Sequence, residues 1–565
     1  MTSSSSLSAP PARPEYQHFV PQFLLRNFAH RYRLPRDANA PRRGGRGRRG
    51  PTGVYSGQKV VNRVNLLADP FVLEEVPIKR VLGLEDMYQD SSQPAGSSPK
   101  QSRRIETLLG ELEAKASALF CKITEALENT TAEVWLTRSE RNRLRRFLFL
   151  LKYRGSSFHR RFYGVSTTTA TTTTASDNDD EGSNYVGGDQ ELLREYMQSQ
   201  RFARPADVWL DNIAAIAELD MDCPDEEWMA KILTRMYPPD AMWFVSHAQQ
   251  MYMALCTPED AGSEFLLTDN SYGVYEGPSV SRVDPAIGRQ ANGAWLNFHE
   301  FAPVAPRVMI VLRSFLLPDP DEDSNADVRA MREGWRRLAI DAAFSPDTTS
   351  TLADLPVRKA RNNYSKVVNG QVRLTSEKED WKRGPNDRFC FRFFRLGARH
   401  VDRINGYLLE NAAVCTSVVY KSRPALTQTL ESYLTMPCGD GHKRVAGPDR
   451  DRRLRLLRGL AALLAGPLGR PDARPVWDEA PPMVPLFSEW EKMQLMNAAM
   501  EEMRPDLTEK LKESRRNQSK SAGGEAQVAD PLRLYYLLGT SPQPHCLLSL
   551  FLVFFPLLMS TSETW

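Results

Sequence analysis

Apolar residues recur every three or four positions between residues 105 and 127, and the positions between them carry charged residues such as Glu111 and Lys115. The apolar positions are Ile105, Leu108, Leu109, Leu112, Ala116, Leu119, Phe120, Ile123 and Leu127. This spacing predicts an amphipathic α-helix that buries one face and exposes the other. We therefore expect residues 105–127 to form a core element.

A second helix is predicted soon after the first. Thr137 and Glu140 have the spacing of a capping box, and the apolar Leu144, Phe147 and Leu148 follow among many arginines. A basic amphipathic helix is compatible with contact to a phosphate backbone or a membrane surface, and also with a core helix whose exposed face is basic. The chain as a whole is nearly neutral, with 73 Lys and Arg residues against 70 Asp and Glu residues, which favours the core helix.

Helical periodicity continues beyond these two helices, and strand-like runs follow it. Further helices are predicted over residues 190–200, 207–219 and 225–237, and from Pro238 along an apolar stripe that reaches Leu255. Strands are predicted at 264–268, 295–299 and 307–312, with residues 301–306 as a connection between the last two. The pattern predicts an α+β fold with a mainly helical first half and a small β-sheet in the second half.

Near the N-terminus, a segment that follows a Ser-, Ala- and Pro-rich leader mixes polar and apolar side chains. Residues 16–28 read Tyr-Gln-His-Phe-Val-Pro-Gln-Phe-Leu-Leu-Arg-Asn-Phe. The segment resembles the signature that opens domain-of-unknown-function family 4238 (DUF4238), especially in its filamentous-fungal members. This resemblance indicates where the domain starts, and it implies no particular activity.

Later segments are similar to the same family. They are residues 77–89, the helix at 105–127, and a strand end at Asp269 and Asn270 that precedes a proline-rich segment. Ser271 stands where the family usually has proline, so the exact geometry of that turn is not carried over.

The signature segment supplies the first candidate site residues. If the chain is helical from position 19 onward, His18, Gln22 and Arg26 are four residues apart and share one face. Pro21 suits the first turn of such a helix, where its missing N–H is not needed. A histidine can act as a base or a ligand, and an arginine can hold a phosphate or a carboxylate. His18 and Arg26 are thus candidate catalytic residues, and Gln22 and Asn27 are candidate binding residues; the structural alternative is that His18 and Asn27 bond the local backbone.

Two other groups of polar residues lie in the strand-rich part. Asp269 and Asn270 at a strand end have side chains that bind a divalent metal or orient a substrate in some proteins and serve as turn residues in others. Asp269 is therefore a third catalytic candidate, and Asn270 is a binding candidate. His299 and Arg307 are further binding candidates around a proline-rich corner. Strand alternation places His299 and Glu300 on opposite faces, so both line one pocket only if a bulge intervenes.

No strong catalytic motif accompanies these residues. The sequence has no Gly-rich phosphate loop ending in GK[ST], no HExxH, no GxSxG and no dinucleotide-binding GxGxxG. His18, Asp269 and His299 are the one metal-like set, and their spacing specifies no metal. We therefore assign no metal ligand and no cofactor.

Composition divides the chain into a leader, one domain and a tail. The expected map is a disordered leader at 1–13, the family-like domain at 14–437, a variable, largely disordered tail with short helices at 438–545, and an apolar end at 546–565. Insertions in the domain, expected to be disordered in large part, are at about 36–53, 90–102, 166–188 and 318–385.

Two stretches outside the expected core suggest partners. The stretch from Arg36 to Arg49 holds six arginines and three glycines, which is typical either of an RNA-contacting segment or of a solvated insertion. The stretch from Cys546 to Met559 is apolar but only 14 residues long. About 20 residues are needed to span a bilayer, so a tail anchor is disfavoured.

Cysteine usage and the missing motifs limit the functional classes. The seven cysteines are scattered without a CxxC pair, and residues 1–14 have no signal-peptide core, so we expect an intracellular, cytoplasmic or nuclear protein. The favoured function is a binding or scaffolding domain. One alternative is a hydrolase or nuclease-like enzyme that uses His18, Arg26 and Asp269, and another is a membrane-tethered accessory protein.

Overall fold

The computed structural model describes residues 16–34, 54–85, 87–88, 100–164, 185–187, 189–223, 227–283, 290–341, 344–368, 371–375, 384, 386–439, 442–445 and 450–479. Outside these residues lie the predicted leader 1–13, the stretch from Arg36 to Arg49, the apolar stretch 546–559, and most of the predicted insertions at 36–53, 90–102 and 166–188.

Helices and strands are mixed along the described chain, which confirms the predicted α+β class. The helices are α1 (Gln22–Phe28), α2 (Lys100–Glu128), α3 (Arg138–Tyr153), α4 (Ser156–Tyr163), α5 (Gln190–Gln200), α6 (Pro205–Glu218), α7 (Trp228–Arg235), α8 (Pro238–Gln249), α9 (Ala326–Asp341), α10 (Ala398–Glu410), α11 (Arg423–Thr435) and α12 (Arg450–Ala465). The strands of the first half are β1 (Tyr16–His18), β2 (His30–Arg31), β3 (Lys59–Asn65), β4 (Val72–Pro77), β5 (Gly83–Glu85), β6 (Glu133–Thr137), β7 (Met251–Pro258), β8 (Leu267–Thr268) and β9 (Tyr275–Glu276). The later strands are β10 (Ser279–Val283), β11 (Gln290–Trp295), β12 (His299–Ala305), β13 (Val308–Ser314), β14 (Arg361–Asn362), β15 (Ser365–Val368), β16 (Gln371–Leu374), β17 (Arg388–Leu396) and β18 (Ser417–Tyr420).

A seven-stranded sheet organises the fold. Its order is β14-β17-β7-β13-β12-β9, and β6 pairs with the first part of β17. Every residue of β7 is buried, because β17 pairs with it on one side, β13 pairs with it on the other, and both of its faces are covered. Met253 and Leu255 of β7 belong to one hydrophobic core, whereas Ala254 and Cys256 belong to another. The sheet therefore separates two cores.

The two cores bury different helices. The first core contains apolar residues of α1, α2, α3, α6, α7 and α8, and the second contains those of α10, α11 and α12. A five-stranded sheet, ordered β2-β3-β18-β8 with β4 on β3, joins the N-terminal strands to the C-terminal part of the domain. The signature segment and the residues near position 416 are thereby held in one folded unit.

The predictions for α2 and α3 are confirmed. Leu112 is 3 % exposed, and Thr137 and Glu140 form the expected capping box at the start of α3. Several arginines of α3 are used inside the protein: Arg145 donates to the carbonyl of Met251 at 2.8 Å, and Arg141 lies 4.0 Å from the ring centroid of Phe389. The described structure therefore supports a core helix whose basic residues bind protein groups.

The predicted extension of the helix beyond Pro238 to Leu255 is wrong. Helix α8 ends at Gln249, and the apolar stripe from Met251 onward forms the central strand β7. A strand buried on both faces shows no alternation of polar and apolar residues, so its sequence reads like a buried helix. Residues 301–306, predicted as a connection, are mostly the strand β12.

The predicted helical first half is not confirmed, since β1–β6 precede α3. Two regions outside the expected core also contribute to the packing. Residues 318–385, predicted as an insertion, supply α9 and the buried Leu352 and Leu355. The region from 438 onward, predicted as a largely disordered tail, supplies α12, whose leucines complete the second core.

Candidate functional site

The signature segment does not form the predicted single helical face. Tyr16–His18 is the strand β1, which pairs with β5, and α1 begins only at Gln22 after Pro21. A residue that precedes proline is disfavoured in the helical region, which keeps Val20 out of the helix. His18 therefore lies on a strand, whereas Gln22 and Arg26 lie on α1, and the predicted alignment of the three is wrong.

Polar groups of the signature bind the backbone around it. His18 Nε2 donates to the carbonyl of Ile78 at 3.1 Å, and burial lowers the pKa of this imidazole. Arg154, at the end of α3, donates to the carbonyls of His18 and Phe19 at 2.6 and 3.0 Å. Asn27 Nδ2 donates to the carbonyl of Val304 on β12 at 2.8 Å. These contacts tie the segment to α3 and to the central sheet.

Gln22 and Arg26 face a different environment from His18. Gln22 is half-buried at the start of α1, and Arg26 is exposed near its end. An exposed guanidinium is solvated, so it has less need of an internal partner than a buried one.

Asp269 and Asn270 follow the short strand β8 and precede a turn of 3₁₀ helix at Ser271–Gly273. The carboxylate of Asp269 accepts from the backbone N–H of Thr416 at 2.9 Å and from its hydroxyl at 3.0 Å. Burial raises the pKa of Asp269, and the bonds from Thr416 partly offset the rise. The carboxylate thus fastens the segment before β18 to the end of β8.

The side chain of Asn270 is closely packed. Its Oδ1 would lie 2.9 Å from a Cβ added at Gly273, so a larger residue at position 273 would force the Asn270 amide to shift. Within the described part of the chain, neither Asn270 Oδ1 nor the hydroxyl of Ser156, the first residue of α4, has a hydrogen-bond partner. Both residues are buried, so these are two unsatisfied polar atoms in the interior.

His299 belongs to a buried network on the second-core face of β12. Its Nδ1 donates to Glu276 at 2.9 Å, and its Nε2 accepts from Arg313 at 3.1 Å. The hydroxyl of Ser350 donates to the same carboxylate at 3.0 Å and lies 3.5 Å from Nδ1. A serine nucleophile needs a histidine whose other nitrogen binds the carboxylate. In this network, serine and carboxylate share one nitrogen, so it is not a proton relay.

Glu300 lies on the opposite face of β12, as the strand alternation predicted. Its carboxylate accepts from Lys152 Nζ at 2.6 Å, from Asn297 Nδ2 at 2.8 Å and from His247 Nδ1 at 3.0 Å. Lys152 Nζ also lies 4.1 Å from the ring centroid of Trp243. We call Lys152, His247 and Glu300 the Glu300 centre.

The Glu300 centre combines buried charges with a neutral imidazole. Burial alone would raise the pKa of Glu300, but Lys152 and His247 lower it to about 2. Burial lowers the pKa of His247 and outweighs the carboxylate beside it. His247 Nε2 has no hydrogen-bond partner among the described residues. A histidine with Nδ1 held by a carboxylate and Nε2 unoccupied has the arrangement of a general base.

Sequence reasoning missed this centre. Neither Lys152 nor His247 was among the candidate site residues. Lys152 directly follows the apolar run of residues 147–151 and lies four positions after the buried Leu148. A lysine that continues an apolar helical face is the signal that points to a buried partner.

Arg307 closes a loop. Its guanidinium donates to the carbonyls of Pro258, Asp260 and Ala261 at 2.9–3.0 Å. The arginine thus supplies hydrogen-bond donors to backbone carbonyls at the end of β7 and directly after it.

The predicted site residues have separate environments. No hydrogen bond or ion pair within the described ranges joins His18, Arg26 and Asp269, and His299 belongs to the network of Glu276. The described side chains contain no group of three or more His, Cys, Asp and Glu residues arranged to hold a metal ion.

Comparison with known proteins identifies the family. The model of the family described as "Protein of unknown function (DUF4238)" matches residues 16–424, which is more than half of the chain, and the chain belongs to this family. No curated protein and no solved structure matches the chain. The filamentous-fungal assignment stays a prediction.

Proposed function

We propose that this DUF4238 member is a binding or scaffolding domain in which the polar residues of the family-like segments stabilise the fold. The observation that carries the proposal is the engagement of the candidate catalytic groups with the protein's own backbone. His18 donates to the carbonyl of Ile78, and the Asp269 carboxylate accepts from the N–H and hydroxyl of Thr416. Groups bonded in this way satisfy buried backbone atoms, which is a structural task.

The difference in exposure between the candidates supports the same proposal. Asp269 is 1 % exposed, whereas Arg26 is exposed on α1. A shared anion-binding pocket would have to join a buried carboxylate and a solvated guanidinium. A pair of that kind gains little from Coulomb attraction, because solvent screens the exposed partner.

His18→Ala is expected to lower the free energy of unfolding by about 1–3 kcal/mol, because the carbonyl of Ile78 loses its donor in a largely buried place. Urea and thermal unfolding measure the change. Arg26→Ala is the matched control, and its expected change stays within about 0.5 kcal/mol because the residue is exposed.

The same melts separate the binding domain from the hydrolase or nuclease-like alternative. We expect Mg²⁺, Mn²⁺, Zn²⁺ and nucleotides to leave the wild-type melting temperature unchanged. A His18→Ala variant that is as stable as the wild type, together with a metal that stabilises only the wild type, would contradict the proposal.

One observation favours a second, catalytic candidate. The Glu300 centre holds a neutral imidazole whose Nε2 is unoccupied beside a buried ammonium group. Such a centre is suited to taking a proton from a bound substrate. His247 is only 2 % exposed, so a substrate would reach it only after the residues around it move. The stability of the Glu300 variants described in the Discussion separates a structural centre from a catalytic one.

A membrane-tethered role rests on the stretch from Cys546 to Met559, which lies outside the described residues. Among the described helices, none combines the length and the apolar character needed to cross a bilayer. A cytoplasmic or nuclear location also remains a proposal; the six cysteines in the described part of the chain are free thiols, which suits a reducing compartment.

A further inference from the structure

One end of the seven-stranded sheet presents an exposed row of arginines around a tryptophan. In the antiparallel pairs of β6 with β17 and of β14 with β17, residues directly opposite each other share a face. Trp135 and Arg361 are both opposite Cys390, and Glu133 and Thr137 are opposite Arg392 and Arg388. The Trp135 face is therefore defined by Glu133, Trp135, Thr137, Arg361, Arg388, Cys390 and Arg392.

The Trp135 face combines an aromatic surface with positive charge. Trp135 is 39 % exposed, the side chain of Arg361 is 59 % exposed, and Arg388 and Arg392 are exposed. The face carries three arginines and one carboxylate, which give it a net charge of +2. The guanidinium of Arg388 lies 5.9 Å from the centroid of the Trp135 ring.

The opposite side of the same strands is packed into the protein. Phe389 and Phe391 alternate with the exposed arginines of β17 and belong to the first core. Arg141 of α3 covers the ring of Phe389 at 4.0 Å. The Trp135 face is thus supported from below by a packed core, which holds the backbones of β6 and β17 in a fixed register.

Ion pairing leaves most of the positive charge exposed. Arg361 donates to Glu133 at 3.0 Å, and this pair lies at the surface, where it contributes little. Arg388 and Arg392 are four residues apart on β17, or about 13 Å along the strand. They flank Trp135 on both sides, because Trp135 pairs with the residue midway between them.

We propose that the Trp135 face binds single-stranded nucleic acid, with a base stacked on the indole of Trp135 and backbone phosphates held by Arg388 and Arg392. The inference rests on the proposed function as a binding domain and names its partner. Single strands fit better than duplexes, because a flat sheet reads unpaired bases by stacking, and a paired base offers no free face to an indole.

Charge and ring together favour nucleic acid over an acidic peptide. The arginines attract either polyanion, and Arg binds phosphate through two parallel N–H donors. Each unit of a single-stranded nucleic acid carries a phosphate and also a base that can stack on the exposed indole, whereas an acidic residue supplies charge without a ring. The nearly neutral chain has no overall attraction to polyanions, so binding requires a local cluster of positive charge such as this face.

The test is fluorescence anisotropy of the full chain with labelled single-stranded DNA and RNA of 12 nucleotides and mixed sequence. We expect micromolar or tighter binding at low salt and a loss of about tenfold in Trp135→Leu, which keeps an apolar side chain but removes the stacking surface. Arg388→Ala and Arg392→Ala should each lower the slope of log affinity against log salt by about 0.7. Arg458→Ala removes an exposed arginine of α12 and should change neither quantity.

The results distinguish DNA, RNA and other polyanions as partners of the Trp135 face. If Trp135→Leu weakens the binding of DNA and of RNA equally, bases of either strand stack on the indole. If the wild type binds one of the two more tightly, the 2′-hydroxyl distinguishes them and that nucleic acid is the natural partner. Binding of poly-glutamate in place of the oligonucleotides, lost in Arg388→Ala, would overturn the nucleic-acid inference and leave the proposed binding function standing. Oligonucleotide binding that is unchanged in all three face variants, or absent at low salt, would overturn the inference. Thermal melts of each variant show whether the fold is intact.

Discussion

Glu300→Ala is expected to lower the free energy of unfolding by about 3–5 kcal/mol, the range for breaking a buried ion pair from one side. The wild-type carboxylate holds Lys152 and His247 in a place where both are at most 2 % exposed. Without the carboxylate, the ammonium of Lys152 keeps its contact with the ring of Trp243 but loses its counter-charge. A buried charge without a counter-charge is among the few changes that destabilise a domain this strongly.

The pH dependence of unfolding identifies the cause of the loss. In the wild type, the pKa of Glu300 falls from 4.5 to about 2, so its contribution is present above pH 4.5 and is lost as the pH falls towards 2. In Glu300→Ala, burial lowers the pKa of Lys152 without opposition from the carboxylate. The unfolded chain then binds more protons than the folded one, so the stability of the variant rises as the pH rises towards 10.5. The difference in free energy of unfolding between the wild type and the variant therefore becomes smaller.

A double variant supplies the control. Glu300→Gln with Lys152→Met removes both charges and keeps similar volumes, and replacement of a buried pair in this way is often neutral or stabilising. We expect the double variant to recover most of the free energy of unfolding that Glu300→Ala loses, as measured by urea unfolding. A single variant as stable as the wild type would speak for a strained, catalytic centre, because removal of active-site charges is often neutral or stabilising.

Leu112→Asp is expected to cost several kcal/mol and to abolish soluble expression, since it places an unpaired carboxylate in the first core. Leu112 is 3 % exposed on α2 and packs in the cluster that also contains Phe120 and Phe147. The effect is measured as the yield of soluble protein and the melting temperature.

Ala114→Asp is the matched control on the same helix. Ala114 is exposed and two positions away, so it lies on the other side of α2. The expected cost is below about 1 kcal/mol and reflects helix propensity alone. Equal losses in the two variants would show that the predicted stripe does not determine burial.

The sequence predicted those elements whose pattern is local. Helix α2 follows from its apolar period, and α3 follows from the capping box at Thr137 and Glu140. In both, the residues that decide the structure are within a few positions of one another, so periodicity and capping are sufficient.

The elements that the sequence did not predict depend on distant partners. Strand β7 is buried on both faces by β13, β17 and two sets of helices, and its apolar run alone does not distinguish strand from helix. The short strand β1 exists because it pairs with β5, more than sixty residues later in the chain. Pairings of this kind are set by the assembled fold and leave no local pattern.

The partners of the candidate site residues are also distant in sequence and could not be predicted from local patterns. His18, Asp269 and His299 were singled out as polar residues at the edges of apolar segments, but their partners, Ile78, Thr416 and Glu276, come from other parts of the chain. The Glu300 centre joins α3, α8 and β12. Its one local sign was a lysine at the end of an apolar run.

The structural role of Asp269 is tested most directly by the free energy of unfolding of Asp269→Ala in urea. We expect a loss of about 1–3 kcal/mol, because the backbone N–H of Thr416 loses its acceptor in the interior. Asp269→Asn should lose less, since it keeps an acceptor and removes the charge whose burial raises the pKa of Asp269. An Asp269→Ala variant that equals or exceeds the wild type in stability would contradict a structural role for the family-like polar residues and return Asp269 to the catalytic alternative.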